Sequence, residues 1–150
     1  MRAHALRLGL DVAHLQTAAR PTGTDVPAPS PSLDNLRHAA PLMAAASLRM
    51  RGHPVSWPLE PARYDLLADL EGHLVRVQVK TTTHRQEGRW TVWLSSTSPT
   101  RTVYASDEVD AFYVIDGDMT HYWLPIDRVA GFQAVALTAY SDCILTTTPV

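Results

Sequence analysis

Cysteine is almost absent from this chain of 150 residues, because Cys143 is the only one. A single cysteine excludes an intrachain disulfide and a zinc site built from cysteines. The chain also lacks any apolar run of the roughly 18 residues that a membrane-spanning helix requires. Arg2 and His4 are not followed by an apolar segment with a small-residue cleavage site, so we expect no signal peptide, no membrane association and a cytoplasmic location.

Excess positive charge is missing as well, since the net charge is -2 and the pI is about 6.4. Overall charge therefore does not point to nucleic acid, and any contact with it has to come from a local site. The histidines form no H-x-x-H or H-x-x-x-H pair of the kind that holds zinc. Neither a Gly-x-Ser-x-Gly elbow nor a glycine-rich phosphate loop is present, which argues against serine hydrolases and P-loop enzymes.

What is present divides the chain into three parts. Residues 1–20 contain apolar residues at helical spacing, interrupted by Gly9, and predict a short helical N-terminal segment. Residues 21–32 hold four prolines among small polar residues, which predicts a semi-extended linker. Residues 33–150 are long enough for one globular domain.

The globular part begins with one amphipathic helix and continues as strands. Apolar residues recur at three- and four-residue intervals between Leu36 and Met50, with Asp34 as the expected N-cap and Gly52 as the closing residue. Pro41 predicts a kink or a later start of this helix. Later segments predict a short strand at 53–57, a hairpin around residues 71–72, a strand at 90–95, a second hairpin over 109–125, one helical turn at 126–129 and a last strand at 134–137. This order predicts an α/β (α+β) fold with a mixed, mostly antiparallel sheet flanked by helices.

The first hairpin places polar side chains on one face. With Glu71-Gly72 as the central turn residues, cross-strand partners have numbers that sum to 143, so Asp65 faces Gln78 and Arg63 faces Lys80. Side chains alternate along a strand, and Asp65, Gln78 and Lys80 therefore share a face. The opposite face is apolar and is the predicted core side: Leu66, Ala68, Val75, Val77 and Val79.

This polar face suits phosphodiester chemistry. The Asp65 carboxylate, the Gln78 side-chain oxygen and the Val79 backbone carbonyl are hard oxygen ligands that fit Mg²⁺, or Mn²⁺ in its place. Such a cation polarises a phosphate and acidifies a water, and Lys80 is placed to orient or deprotonate that water or to neutralise developing charge. From the residues alone, the solvated polar face of an amphipathic hairpin stays open as the alternative.

Arg63-Tyr64-Asp65-Leu66 followed by Val77-Gln78-Val79-Lys80-Thr81-Thr82 resembles the core motif of PD-(D/E)XK endonucleases. The match is to the branch related to group I intron homing endonucleases, in which glutamine replaces the acidic residue before the X-Lys pair. Tyr64 stands where the family's name has proline. Residues 51–58, 109–115 and 122–126 are similar to further segments of that branch, so the resemblance covers about residues 36–140. It implies a restriction-endonuclease-like core, with Asp65 and Gln78 as metal ligands and Lys80 as the catalytic lysine.

One departure from the family pattern concerns the metal site. Many members carry a glutamate on the first helix that helps to bind metal, whereas residues 35–51 contain no Asp or Glu here. Asp34 and Glu60 are the nearest substitutes, and Glu60 is the candidate additional ligand. The departure leaves open an inactive relative that binds DNA without cutting it.

Candidate DNA contacts follow from their position near the hairpin. Basic and hydroxyl side chains make most contacts to DNA phosphates. Five such residues are expected to do so here: Arg63, Thr81, Thr82, Arg85 and Arg89. Trp57 and Trp93 occupy strand positions, and we expect both to pack in the core.

These observations predict a Mg²⁺-dependent endonuclease, of the homing or mobile-element type, that hydrolyses phosphodiester bonds of double-stranded DNA. A Holliday-junction resolvase of the same fold is the alternative within the enzymes. A catalytically inactive DNA-binding relative is the alternative outside them, and a protein-interaction domain that keeps only the fold is the third. We expect a homodimer, because two strands are cut.

Overall fold

The computed structural model describes residues 32–96 and 101–146. The predicted helical segment 1–20 and linker residues 21–31 lie outside the described residues. The described chain forms, in order, helix α1 (Leu33–Met50), strands β1 (Val55–Ser56), β2 (Leu66–Leu70), β3 (His73–Thr82), β4 (Arg85–Gln86), β5 (Arg89–Trp93), β6 (Ala111–Asp116) and β7 (His121–Pro125), helix α2 (Ile126–Val129), strand β8 (Ala134–Ala136) and the 3₁₀ helix η1 (Leu137–Cys143). None of the helices in these ranges is long and apolar enough to cross a membrane.

Helix α1 starts earlier than predicted. Its N-cap is Ser32, whose side chain accepts the backbone N–H of Asn35 at 3.2 Å, so the prediction of Asp34 as the N-cap is wrong. Asp34 instead lies in the first turn, where a negative charge stabilises the helix dipole. Pro41 lies inside the helix without ending it, and Gly52 closes the helix with a φ of 88°, as expected.

The hairpin of β2 and β3 has the predicted register. Leu66 pairs with Val77, so the partner numbers sum to 143. Glu71 and Gly72 have φ values of 55° and 88°, the left-handed pair that a two-residue type I′ turn needs. The Asp69 carboxylate accepts the backbone N–H of Gly72 at 2.7 Å and closes the turn. Register fixes which side chains share a face, and the turn therefore positions the candidate site.

The main sheet has the strand order β1-β2-β3-β6-β7. All neighbours pair antiparallel except β3 and β6, which are parallel because the chain crosses over between them. The predicted α/β (α+β) class, with a mixed, mostly antiparallel sheet flanked by helices, is confirmed. A second sheet of order β4-β5-β8 and the helix η1 were not predicted.

Two apolar clusters lie on opposite faces of the main sheet, and β6 contributes alternate residues to each. Helix α1 covers the first face, where the predicted core side of the hairpin is buried. That cluster contains Leu36, Ala40, Ala44, Ala45, Leu48, Leu66, Ala68, Val77, Val79, Tyr113 and Ile115. Strands β5 and β8 and the start of η1 cover part of the second face, over Phe112, Val114 and Leu124.

Trp57 and Trp93 lie outside both clusters, and the prediction that they pack in the core is wrong. Their exposed fractions are 53% and 47%. Trp93 is the last residue of β5, where Val92 takes the buried side. Alternation along the strand therefore turns Trp93 outward.

Candidate active site

Asp65 lies immediately before β2, and the backbone of β3 holds its carboxylate in place. The Oδ2 atom accepts the backbone N–H of Val79 at 2.7 Å and the side-chain N–H of Gln78. Burial, which disfavours the charged form, raises the pKa of Asp65, although the bond from Val79 and the charge of Lys80 act in the opposite direction. Asp65 is therefore a fixed and partly desolvated carboxylate, unlike a group on a freely solvated face.

Three potential oxygen ligands converge beside Asp65. The Gln78 amide nitrogen lies 2.5 Å from Asp65 Oδ2 and 3.3 Å from the carbonyl oxygen of Val79. Separations of this size match those between neighbouring ligands of one octahedral Mg²⁺, about 3 Å, once the amide is turned to present its oxygen. The donor set therefore fits a small hard cation, with Asp65 supplying one negative charge.

Carboxylates are otherwise scarce around these ligands. Within the described ranges, no three His, Cys, Asp or Glu residues form a group that could hold a metal ion. Glu60 is exposed in the loop before β2 and does not line the cavity at Asp65, and neither does Asp34. The structure thus brings Asp65, Gln78 and Val79 together but leaves the candidate ligand Glu60 outside.

Lys80 lies two residues beyond Gln78 on β3 and is half-buried. Its Nζ donates to the backbone carbonyl of Ser95 at 3.1 Å and to the hydroxyl of Tyr104 at 3.3 Å. Burial lowers the pKa of Lys80 from 10.5 to about 8; the Asp65 charge opposes this shift, and Arg63 and Arg37 add to it. An amine in this range exchanges its proton near neutral pH, as a general base requires.

Lys80 is also the only lysine of the chain, beside twelve arginines. Arginine stays charged at any pH that proteins tolerate, whereas a buried lysine shifts its pKa readily. Among the lysine and arginine residues, the one able to lose its proton thus occupies the half-buried position next to Asp65. The presence of a single lysine among twelve arginines was visible in the sequence and, beside the motif, could have singled out Lys80.

Tyr104 belongs to the site but was not predicted from the sequence. It is buried, and its ring packs edge-to-face on Phe112 with centroids 5.5 Å apart. The Lys80 ammonium lies 4.8 Å and the Arg63 guanidinium 4.3 Å from the centre of this ring, within the range of cation–π attraction. Tyr104 therefore holds the lysine both through its hydroxyl and through its ring.

A cavity of about 650 Å³ opens at these side chains. Helix α1 lines one part of it, and β3 and the segment after β5 line others. Among the described residues that line it, Asp65 is the one carboxylate, and four carry basic groups: Arg37, Lys80, His84 and Arg101. The cavity is therefore locally positive in a chain whose net charge is -2, which favours a phosphate-bearing ligand.

The residues predicted to contact DNA differ in whether their polar groups already have partners within the protein. The three arginines are ion-paired: Arg63 with Glu108 at 2.9 Å, Arg85 with Asp118 at 2.7 Å and Arg89 with Glu87 at 2.6 Å. Thr81 and Thr82 line the cavity, but Thr82 is buried and its hydroxyl bonds to the backbone of β5. Arg37, Trp93 and Arg101, which sequence reasoning did not place here, line the cavity as well.

Comparisons with known proteins identify the family and a similar fold. A sequence model of a family described as PD-(D/E)XK endonuclease matches residues 38–140. The solved structure of a bacterial homing endonuclease, I-Ssp6803I, is similar with a TM-score of 0.60 and 23% sequence identity, over 78% of this chain and 80% of that chain. A search of curated proteins found no significant match.

Proposed function

The chain belongs to the PD-(D/E)XK endonuclease family, and from that premise we propose that it is a Mg²⁺-dependent DNA endonuclease of the homing or mobile-element type. The observation that carries this proposal is the convergence of Asp65, Gln78 and the half-buried Lys80 on one positively charged cavity. We further propose that Mn²⁺ can replace Mg²⁺, that the protein acts in the cytoplasm and that it works as a homodimer on double-stranded DNA.

In this proposal the cation would be held by the Asp65 carboxylate, the Gln78 amide oxygen and the Val79 carbonyl. It would supply polarisation of the scissile phosphate and activation of the attacking water. The Val79 N–H keeps the Asp65 carboxylate oriented. Asp65 would be the only carboxylate of this set among the described residues, so the cation would rely on neutral oxygen donors for the rest of its binding, which is common for Mg²⁺.

Lys80 has two roles in the proposed reaction, depending on its protonation. As the neutral amine it accepts the proton of the attacking water, and as the ammonium it stabilises negative charge on the phosphate. A pKa of about 8 makes both forms available near neutral pH. Ser95 and Tyr104 hold the nitrogen in position through the bonds to their carbonyl and hydroxyl oxygens.

An inactive DNA-binding relative is the second candidate, and one observation favours it. The part of α1 that lines the cavity contributes Leu33, Arg37, Ala40 and Pro41 but no carboxylate. A site with a single negative charge binds a divalent cation more weakly than one with two or three. Weak metal binding would leave DNA binding intact while cleavage is lost.

Nicking of supercoiled plasmid separates the two candidates. Wild type, Asp65→Ala, Lys80→Ala and the control Asp127→Ala are compared in Mg²⁺, in Mn²⁺ and in EDTA. Asp127 is an exposed carboxylate that does not line the cavity. We expect wild type and the control to nick only with metal, and both site variants to lose at least about 100-fold in rate. Equal cutting by all four proteins would refute the site, and DNA binding without nicking by wild type would establish the inactive relative.

A further inference from the structure

Within the described residues, two cavity arginines form no ion pair with a carboxylate, whereas most of the other arginines do. Arg63, Arg76, Arg85, Arg89 and Arg128 each pair with a carboxylate at 2.9 Å or less. Arg37 and Arg101 form no ion pair with a carboxylate in the part of the chain that the structure describes, and both are exposed. Their guanidinium groups are therefore available to phosphate, which arginine binds through two parallel hydrogen bonds.

Trp93 gives the same cavity an aromatic surface. The residue is 47% exposed, and the guanidinium carbon of Arg101 lies 4.5 Å from the centre of its ring. Trp90 on the same strand contrasts with it, because that ring lies against Gly117 and its indole N–H donates to Asp118 at 2.8 Å. The backbone of Trp93 pairs with Ala134 of β8, but within the described ranges its indole N–H forms no hydrogen bond, so the indole is available to a ligand in the cavity.

From this juxtaposition we propose that Trp93 and Arg101 form a stacking subsite for an unpaired base of the DNA substrate, with Arg37 binding the adjoining phosphates. Aromatic rings bind bases by stacking on their flat faces, and arginine planes add to that stacking. Bases inside a duplex are already stacked on their neighbours, so one of them reaches Trp93 only after it has left the stack.

The subsite lies next to the proposed catalytic groups. Arg37, Trp93 and Arg101 line the same cavity as Asp65 and Lys80. A phosphodiester at Asp65 therefore places a neighbouring nucleotide within the cavity. This inference rests on the proposed function and narrows its double-stranded substrate to duplex DNA with unpaired nucleotides beside the cut, as at a bulge or a mismatch.

Binding in Ca²⁺, which allows DNA contacts to be measured without Mg²⁺-dependent cleavage, tests the subsite. Fluorescence anisotropy compares a perfect duplex with a duplex of equal length that carries three unpaired thymines at its centre. The variants are Trp93→Ala, Trp93→Phe and the control Trp57→Ala, which removes a ring of similar exposure, 53%, outside the cavity. We expect wild type to prefer the bulged DNA, and Trp93→Ala to lose about 10-fold in affinity for it while changing by less than about 2-fold on the duplex. Trp93→Phe should retain most of the preference, and Trp57→Ala all of it.

Several results would overturn the subsite. One is that wild type binds the bulged DNA no more tightly than the duplex. Another is that Trp93→Ala loses affinity equally for both DNAs, and a third is that Trp57→Ala has the same effect as Trp93→Ala. If Trp93→Ala instead changes the molar mass in light scattering, a second copy of the chain covers the ring, and the inference fails. The proposed function is judged separately by plasmid nicking, because Trp93→Ala can lose the preference while Asp65→Ala still abolishes cleavage. A wild-type protein that binds neither DNA would overturn both.

Discussion

Lys80 should lose its proton at about pH 8 in the metal-free protein, well below the ordinary value of 10.5. The difference corresponds to about 3 kcal/mol, which is the free energy by which the site disfavours the ammonium relative to water. Burial is the main cause, and the positive charges of Arg63 and Arg37 act in the same direction. The negative charge of Asp65 opposes the shift, so the variant Asp65→Asn should lower the pKa of Lys80 further.

The same shift makes stability depend on pH in a predictable direction. Below pH 8 the lysine is protonated in both states, and the folded protein bears the whole penalty of burying the charge. Between pH 8 and 10.5 the folded state has released the proton while the unfolded chain keeps it, so the free energy of unfolding rises with pH. Lys80→Met has no such charge, and its stability relative to wild type should therefore fall by up to about 3 kcal/mol between pH 7 and pH 10.5. The variant also loses the hydrogen bonds to Ser95 and Tyr104, which lowers its free energy of unfolding but contributes little to the pH dependence.

A direct measurement is practical because Lys80 is the only lysine. Reductive methylation with ¹³C-formaldehyde labels this side chain and the terminal amine, and an NMR titration in EDTA then follows one lysine signal. We expect a midpoint near 8 for wild type and a lower one for Asp65→Asn. A wild-type midpoint at 10 or above, together with urea-denaturation curves that show no pH-dependent difference between wild type and Lys80→Met, would refute the reasoning.

Three further predictions concern the fold. Gly117→Ala should lower the free energy of unfolding by about 1–3 kcal/mol in urea denaturation, because an added Cβ would lie 2.6 Å from the Trp90 ring. Unchanged stability would contradict this prediction, because it would mean that the Trp90 ring moves aside at no cost in free energy. Leu66→Ala should cost about 2–5 kcal/mol in the same assay, since the side chain is fully buried between β2 and α1, and a loss below about 1 kcal/mol would contradict that packing. Asp110→Asn should cost about 1–2 kcal/mol at pH 7, because Asp110 accepts two bonds from the Arg76 guanidinium at 2.8 and 2.9 Å. The Arg76 bond lowers the pKa of Asp110, so this contribution is present above the unfolded value of 3.8 and is lost as the pH falls through the lower folded value; a pH-independent difference would argue against the pair.

Local sequence signals were sufficient to predict the hairpin that carries the candidate site. The pair Glu71-Gly72 specifies a two-residue turn, and this turn fixes the register of the hairpin. That register places Asp65 opposite Gln78 on the neighbouring strand. The apolar face of β2 and β3 also follows from alternation alone. These features depend on residues close in sequence, where turn geometry and strand period dominate.

The surroundings of the hairpin depend on tertiary contacts and were missed for that reason. Tyr104 lies 24 residues after Lys80 in the sequence, and only the tertiary fold brings its hydroxyl within 3.3 Å of the lysine nitrogen. Trp93 occupies an ordinary strand position, and only the placement of the second sheet decides that its outward side faces the cavity. Likewise, the acidic partners of Arg63, Arg85 and Arg89 lie elsewhere along the chain or in an unpredicted turn, so their ion pairing was not visible in the sequence.

The central claim is that Asp65 and Gln78 hold one divalent cation next to a bound phosphodiester. Mn²⁺ binding measured by electron paramagnetic resonance tests this claim most directly, in a Lys80→Met background that keeps bound DNA intact. We predict one Mn²⁺ per chain in the presence of DNA, and at least about 10-fold weaker binding when Asp65→Asn is added to Lys80→Met. Equal Mn²⁺ affinity with and without the Asp65 carboxylate would contradict the account.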